Sequence, residues 1–179
     1  METYLSILLM ERSQKNVCLI NQRFTAHLDR NLDPALWKRN HFDDSCRTSF
    51  GIDITIADYV VIPLCEESHF FLVIIDVKAK KAIYFDSGNS KREIRVRKRR
   101  IQIWFENLTK FVWNQSGWDV ICDPDNVNQP DSNSCGVFVA MAARRFLYND
   151  VMLINSATWQ LRARYIMALS ILCSKMIIF

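Results

Sequence analysis

Cys135 stands where a polar turn, Gln129-Pro130-Asp131-Ser132-Asn133-Ser134, gives way to the apolar run Gly136-Val137-Phe138. A thiol at a helix start meets unpaired backbone N–H groups and the positive end of the helix dipole, and both favour a thiolate. Gln129 lies six positions upstream. A side-chain amide held there can donate to the oxyanion that forms when a thiolate attacks a carbonyl.

A cysteine nucleophile needs a base, and the base needs a group to orient it. The chain has three histidines. His27 falls in an expected helix or at its edge, and His41 in a charged loop. His69 comes directly before Phe70-Phe71-Leu72-Val73-Ile74-Ile75-Asp76, an apolar run of strand length. A second strand reads from Lys81 to Asp86, and the turn near Lys78-Ala79-Lys80 lies about midway between the two residues. In an antiparallel hairpin the start of one strand faces the end of the next. The spacing of 17 between His69 and Asp86 therefore predicts that they sit side by side at one rim of a sheet.

The elements that must position these groups follow from the rest of the pattern. Helix is expected over Tyr4 to Arg12 and near Asn21 to Trp37, broken around Asp33-Pro34, with a polar loop from Asn40 to Asp53. Strands are expected at Tyr59–Leu64, Phe70–Val77, Lys81–Asp86 and Trp118–Cys122. A helix with a basic start runs to about Val112, burying Ile101, Trp104, Phe105, Leu108 and Val112 as one stripe. Asp123 to Ser134 is turn-rich, Cys135 opens a helix to about Tyr148, and a last helix is expected over about Thr158 to Lys175. The plan is α+β: a small mixed or antiparallel sheet surrounded by helices, in a single domain spanning residues 1–179.

The order His69, Asp86, Gln129, Cys135-Gly136 resembles the ubiquitin-like-protein-specific cysteine proteases, the sentrin/SUMO protease family. Val61-Ile62-Pro63-Leu64, Tyr84-Phe85-Asp86-Ser87 and the segment Gln129 to Phe138 resemble the family's corresponding pieces. Taken singly, each residue has a plain structural explanation; four residue types in one order at two fixed spacings do not. The resemblance implies the adenain-like cysteine-protease fold. It also implies a Cys135–His69–Asp86 triad with Gln129 as oxyanion donor, and cleavage after the C-terminal Gly-Gly of a SUMO-like modifier. Phe70, Ser134 and Gly136 are then the expected substrate-binding residues. The chain departs from the family pattern at Phe70, where the family has Trp, and at Ser134, where it has Asp. The family's Trp-Leu-Asn-Asp-like segment is also expected to be missing, since Met1-Glu2-Thr3-Tyr4-Leu5 reads as the inside of the first helix. An adenovirus-type maturation protease uses the same residue order and stands as the alternative enzyme; a degenerate modifier-binding module stands as the alternative without catalysis.

Half of the 179 residues are hydrophobic and four are glycine, which excludes disordered and fibrous classes. No apolar stretch is long enough to span a bilayer, and the start has no positive n-region of a secretory signal. None of the six cysteines forms a Cys-x-x-Cys pair, so no metal or cofactor is expected. Cys18, Cys65, Cys122 and Cys173 read as buried free thiols, pointing to a reducing intracellular compartment, nucleus or cytoplasm. The net charge of +4 is concentrated in Lys91 to Arg100, which holds seven basic residues and one acid. This run reads first as a solvated helix start. The expected partner is the modifier protein and its conjugates rather than nucleic acid or membrane, with the chain a monomer.

Overall fold

The computed structural model describes residues 16–20, 50–51 and 54–148. They form strands β1 (Val17–Leu19), β2 (Phe50–Gly51), β3 (Tyr59–Glu66), β4 (His69–Asp76) and β5 (Lys81–Phe85), helix α1 (Lys91–Trp113), strand β6 (Asp119–Cys122) and helix α2 (Cys135–Tyr148). The strands make one mixed sheet in the order β2-β1-β3-β4-β5-β6. The β3–β4 and β4–β5 pairs are antiparallel, whereas β1–β3 and β5–β6 are parallel. This is the expected α+β plan. The helices expected over 4–12, 21–37 and 158–175 lie outside the described residues, as do His27 and His41.

Alternation along the central strands builds two cores, because successive side chains point to opposite faces of a sheet. Val60, Ile62, Leu64, Phe71, Val73, Ile75, Ala82 and Tyr84 face the α1 stripe of Ile101, Trp104, Phe105 and Leu108. Val61, Leu72, Ile74 and Phe85 face Phe138, Val139, Ala142 and Ala143 of α2. With both faces covered, β4 reads as a continuous apolar run. Each fully buried Leu, Ile or Phe contributes about 1.5–3 kcal/mol.

α1 begins and ends as its residues dictate. The Ser90 hydroxyl accepts from the Glu93 N–H at 3.3 Å, the N-cap bond of a Ser-x-x-Glu start. Asn114 closes the helix in the left-handed conformation with φ 50°. Lys91, Arg92, Arg95, Arg99 and Arg100 are exposed, as a solvated start requires. Arg97 is the exception and is buried.

Two sequence expectations need correction. β1 and β2 were not foreseen: Phe50-Gly51 falls in a stretch read as loop, and three- and two-residue strands are too short to show a period. Cys122 is exposed rather than buried, and Cys65 is only partly buried. Cys122 lies on β6, which ends the sheet, so an apolar segment there keeps a solvent side.

Candidate active site

The expected neighbours meet at the rim. His69 is the first residue of β4, and Asp86 directly follows β5. Their side chains touch, with His69 Nε2 2.6 Å from Asp86 Oδ1. The β3–β4 connection that sets this edge is the two-residue turn Glu67-Ser68, both in the left-handed region at φ 48° and 65°. A tight hairpin turn demands that conformation and usually employs glycine or asparagine for it. Holding two ordinary residues there costs about 1–2 kcal/mol each, so the β3–β4 ladder must impose it. The turn directs the Ser68 carbonyl toward α2, where Cys135 Sγ lies 3.9 Å from it. The thiol therefore sits beside the residue that precedes His69, at the N-terminus of its helix.

Asp86 is 1% exposed and receives donors on both oxygens. Oδ1 accepts from the Gly88 N–H at 2.8 Å as well as facing His69. Oδ2 accepts from the Tyr84 hydroxyl at 2.5 Å and from Arg97 Nε at 2.8 Å. Burial by itself pushes this carboxyl up, but the hydrogen bonds from His69, Tyr84 and Gly88, with the Arg97 charge, outweigh it and hold the group at about 2. Burial and the adjacent carboxylate push the Tyr84 phenol far up, so Tyr84 stays a neutral donor. Asn126 clamps the backbone of Asp86 from both sides, accepting from its N–H at 3.0 Å and donating to its carbonyl at 2.9 Å. The turn bearing Asn126 is tied to α2 by Arg145, which pairs with the Asp123 carboxylate and donates to the Asp125 carbonyl at 3.2 Å.

Gln129 is buried with its amide fixed at both ends. Its Oε1 accepts from the Ser87 hydroxyl at 2.8 Å, and its Nε2 donates to the Asp131 carbonyl at 2.5 Å. The Gln129 N–H also donates to the Ser87 carbonyl at 2.8 Å. Gln129 is thereby bound to the residue directly after Asp86. Asp131 shapes the approach to Cys135: its carboxylate accepts from the N–H groups of Asn133 and Ser134 at 2.9 and 2.8 Å and from the Ser134 hydroxyl at 2.8 Å. Ser134 is fully buried in this cap. Gly136 is partly buried in the first turn of α2, and Phe70 is partly buried against the α2-side core.

The structure thus brings His69, Asp86, Gln129 and Cys135 to one rim. A carboxylate that fixes an imidazole, a thiol at a helix N-terminus and a rigid amide can together abstract a proton, attack a carbonyl and receive an oxyanion. Sequence reasoning missed Tyr84, Asn126 and Arg97. Tyr84 had a signal, since it lies two before Asp86 and so shares its face. Arg97 had one too: it lies four before Ile101 and seven before Trp104, on the apolar stripe of α1.

Burial and the nearby Cys135 push the Cys65 thiol up, against a lowering backbone hydrogen bond at Ser68. Cys65 therefore stays protonated at neutral pH.

Several solved structures share this fold. The C-terminal Ulp1 protease domain in complex with Smt3, the yeast ortholog of SUMO, is similar with a TM-score of 0.69 and 18% identity, covering 94% of this chain and 73% of that one. The SUMO protease Ulp1 with its catalytic cysteine oxidised to a sulfinic acid gives 0.67 and 20%, covering 94% and 74%. The Chaetomium thermophilum Ulp1-like SUMO protease catalytic domain gives 0.63 and 19%, covering 93% and 66%. No curated protein matches the chain by sequence. The family model described as the Ulp1 protease family, C-terminal catalytic domain, matches residues 1–166. The chain belongs to the Ulp1 protease family and is a cysteine protease.

Proposed function

We propose that the protein hydrolyses the bond that follows the C-terminal Gly-Gly of a SUMO-like modifier, in a precursor or in a lysine conjugate. The observation that carries the chemistry is the 2.6 Å contact of His69 Nε2 with Asp86 Oδ1 at the rim where Cys135 opens α2. An imidazole that gives its Nε2 proton to a buried carboxylate keeps Nδ1 as the acceptor. Nδ1 takes the thiol proton of Cys135, and the thiolate attacks the glycine carbonyl. The tetrahedral oxyanion is received by the Cys135 N–H and by the second Nε2 hydrogen of Gln129, the first being held by the Asp131 carbonyl. His69 returns its proton to the leaving amine, and water, deprotonated by the same imidazole, opens the thioester. Phe70 and Gly136, on the α2 side of the rim, line the path of the diglycine. The substrate class is supported by the fold shared with a Ulp1 domain in complex with Smt3 and by family membership.

A set of modifiers bearing C-terminal electrophiles tests this directly. A SUMO-type probe forms a covalent adduct at Cys135, located by peptide mass spectrometry, and Cys135→Ala abolishes both adduct and turnover while thermal stability is kept. If Cys135 reacts with iodoacetamide but with no SUMO-type probe, the substrate assignment is wrong. Turnover surviving in Cys135→Ala removes the nucleophile.

A further inference from the structure

Six of the seven basic residues at the start of α1 are at least partly exposed; Arg97 is 8% exposed and takes part in the apolar stripe. A buried guanidinium is costly unless it is paired, and here its partners belong to the site. Its Nε donates to Asp86 Oδ2 at 2.8 Å, and Nη1 lies 3.7 Å from Glu93 Oε2 one turn earlier. Its Cζ lies 6.0 Å from the Phe71 ring centroid, and the Phe71 ring stacks on His69 with centroids 6.4 Å apart. Gly88 shows how closely the groups converge. A Cβ built there would lie 3.0 Å from Asp86 Oδ1, 3.2 Å from Arg97 Nη2 and 3.4 Å from His69 Nε2.

We infer that Arg97 is a positioning residue for the triad: with Tyr84 it fixes Asp86 Oδ2, so that Oδ1 is committed to His69 and the imidazole is presented to Cys135 in one orientation. This rests on the reading of His69, Asp86 and Cys135 as the triad. A carboxylate turns easily about its last torsion, whose minimum is broad. Only donors on both oxygens prevent that rotation, and Oδ2 has two side-chain donors. Tyr84 lies directly beneath on β5. Arg97 is the one that reaches in from a separate element, and its planar fork holds its direction where an ammonium would not.

The test compares Arg97→Gln, Arg97→Lys and the exposed control Arg99→Gln. The readouts are kcat and KM on a modifier-derived fluorogenic substrate, and the rate of Cys135 alkylation by iodoacetamide at neutral pH. Arg97→Gln should lower kcat and the alkylation rate by roughly 10–100-fold, as a misplacement of about 1 Å does, with KM nearly unchanged. Arg97→Lys should recover part of the loss, and Arg99→Gln should behave as wild type. Wild-type kcat and alkylation in folded Arg97→Gln overturn the inference. Should Arg97→Gln not fold, Arg97→Lys decides: an alkylation rate equal to wild type overturns the inference, and a several-fold fall supports it. Alkylation needs no modifier. If wild-type Cys135 reacts no faster than the exposed Cys122, the triad reading itself fails rather than the part given to Arg97.

Discussion

The two ends of the site are built differently. At one end Asp86 is buried and accepts from an imidazole, a phenol, a guanidinium and a backbone N–H, drawn from β4, β5, α1 and the loop after β5. At the other end the Cys135 sulfur meets a carbonyl at 3.9 Å, a weak interaction for a weak donor. The contrast follows from what each group must do in the proposed mechanism. The carboxylate keeps its charge and place throughout a turnover, so every donor aimed at it is organised in advance of the reaction. The thiol changes charge, bonding and partner in each half-reaction, and a strong fixed hydrogen bond would oppose that. Gln129 belongs with the first kind, since both ends of its amide are held.

The largest effect should come from upsetting the fixed end. In Asp86→Asn one carboxylate oxygen becomes an NH2 group, which cannot accept. If the amide oxygen is kept for Arg97 and Tyr84, the NH2 faces His69 and selects the wrong tautomer. That loss amounts to about 10⁴-fold in kcat where it has been isolated. If it is turned the other way, Arg97 is left buried against a donor, and breaking a buried pair costs about 3–5 kcal/mol. Expected together are a collapse of turnover and a clear fall in the thermal midpoint, measured by steady-state assay and calorimetry. Near-wild-type kcat in Asp86→Asn would mean that the contrast between the two ends has no catalytic meaning.

A smaller effect is expected from Gln129→Ala. It removes the proposed oxyanion donor, worth about 10²–10³ in kcat, and leaves the His69–Asp86 contact in place. Iodoacetamide alkylation of Cys135, which forms no oxyanion, should therefore stay near the wild-type rate while kcat falls. Parallel loss of both would show that Gln129 supports the thiol rather than the transition state.

How far the sequence carried this picture depended on how local each feature is. The His69–Asp86 contact was legible because one hairpin makes it: two apolar runs, a short turn and antiparallel geometry determine which ends meet. The buried stripe of α1 was legible for the same reason, through its period of 3.6, and the span of α2 was legible from the turn-rich segment before Cys135. β1 was not, because its three residues are too few to show a period and their strand partners are β3, some forty positions later, and β2. Cys122 was misplaced because being at a sheet edge is a property of the whole strand order. Asn126 looked like any polar turn residue, and its clamp on Asp86 spans 40 positions. Arg97 is the instructive case, since its place on the α1 stripe was readable but six other basic residues made it look like solvated charge. A single charged residue on an apolar face calls for a buried partner of opposite sign, and here that partner is Asp86, the carboxylate in contact with His69.

The smallest and most general consequence is an acid limit on stability. Asp86 is held at about 2 against an ordinary value of 3.8. Its folded value is depressed, so its contribution is fully present above about pH 4 and is lost as pH falls toward 2. A shift of this size is worth about 2 kcal/mol. Urea midpoints followed from pH 5 to 2 should decline across that window. Tyr84→Phe removes one of the donors that lower Asp86, so the folded value moves back toward 3.8: the variant should be less stable than wild type at pH 7 and should lose less stability between pH 5 and 2, the two curves converging at low pH. A Tyr84→Phe curve that runs parallel to wild type through the whole window would show that the carboxylate is held by His69, Gly88 and Arg97 without it. The fixed end of the site would then depend on fewer donors than its geometry suggests.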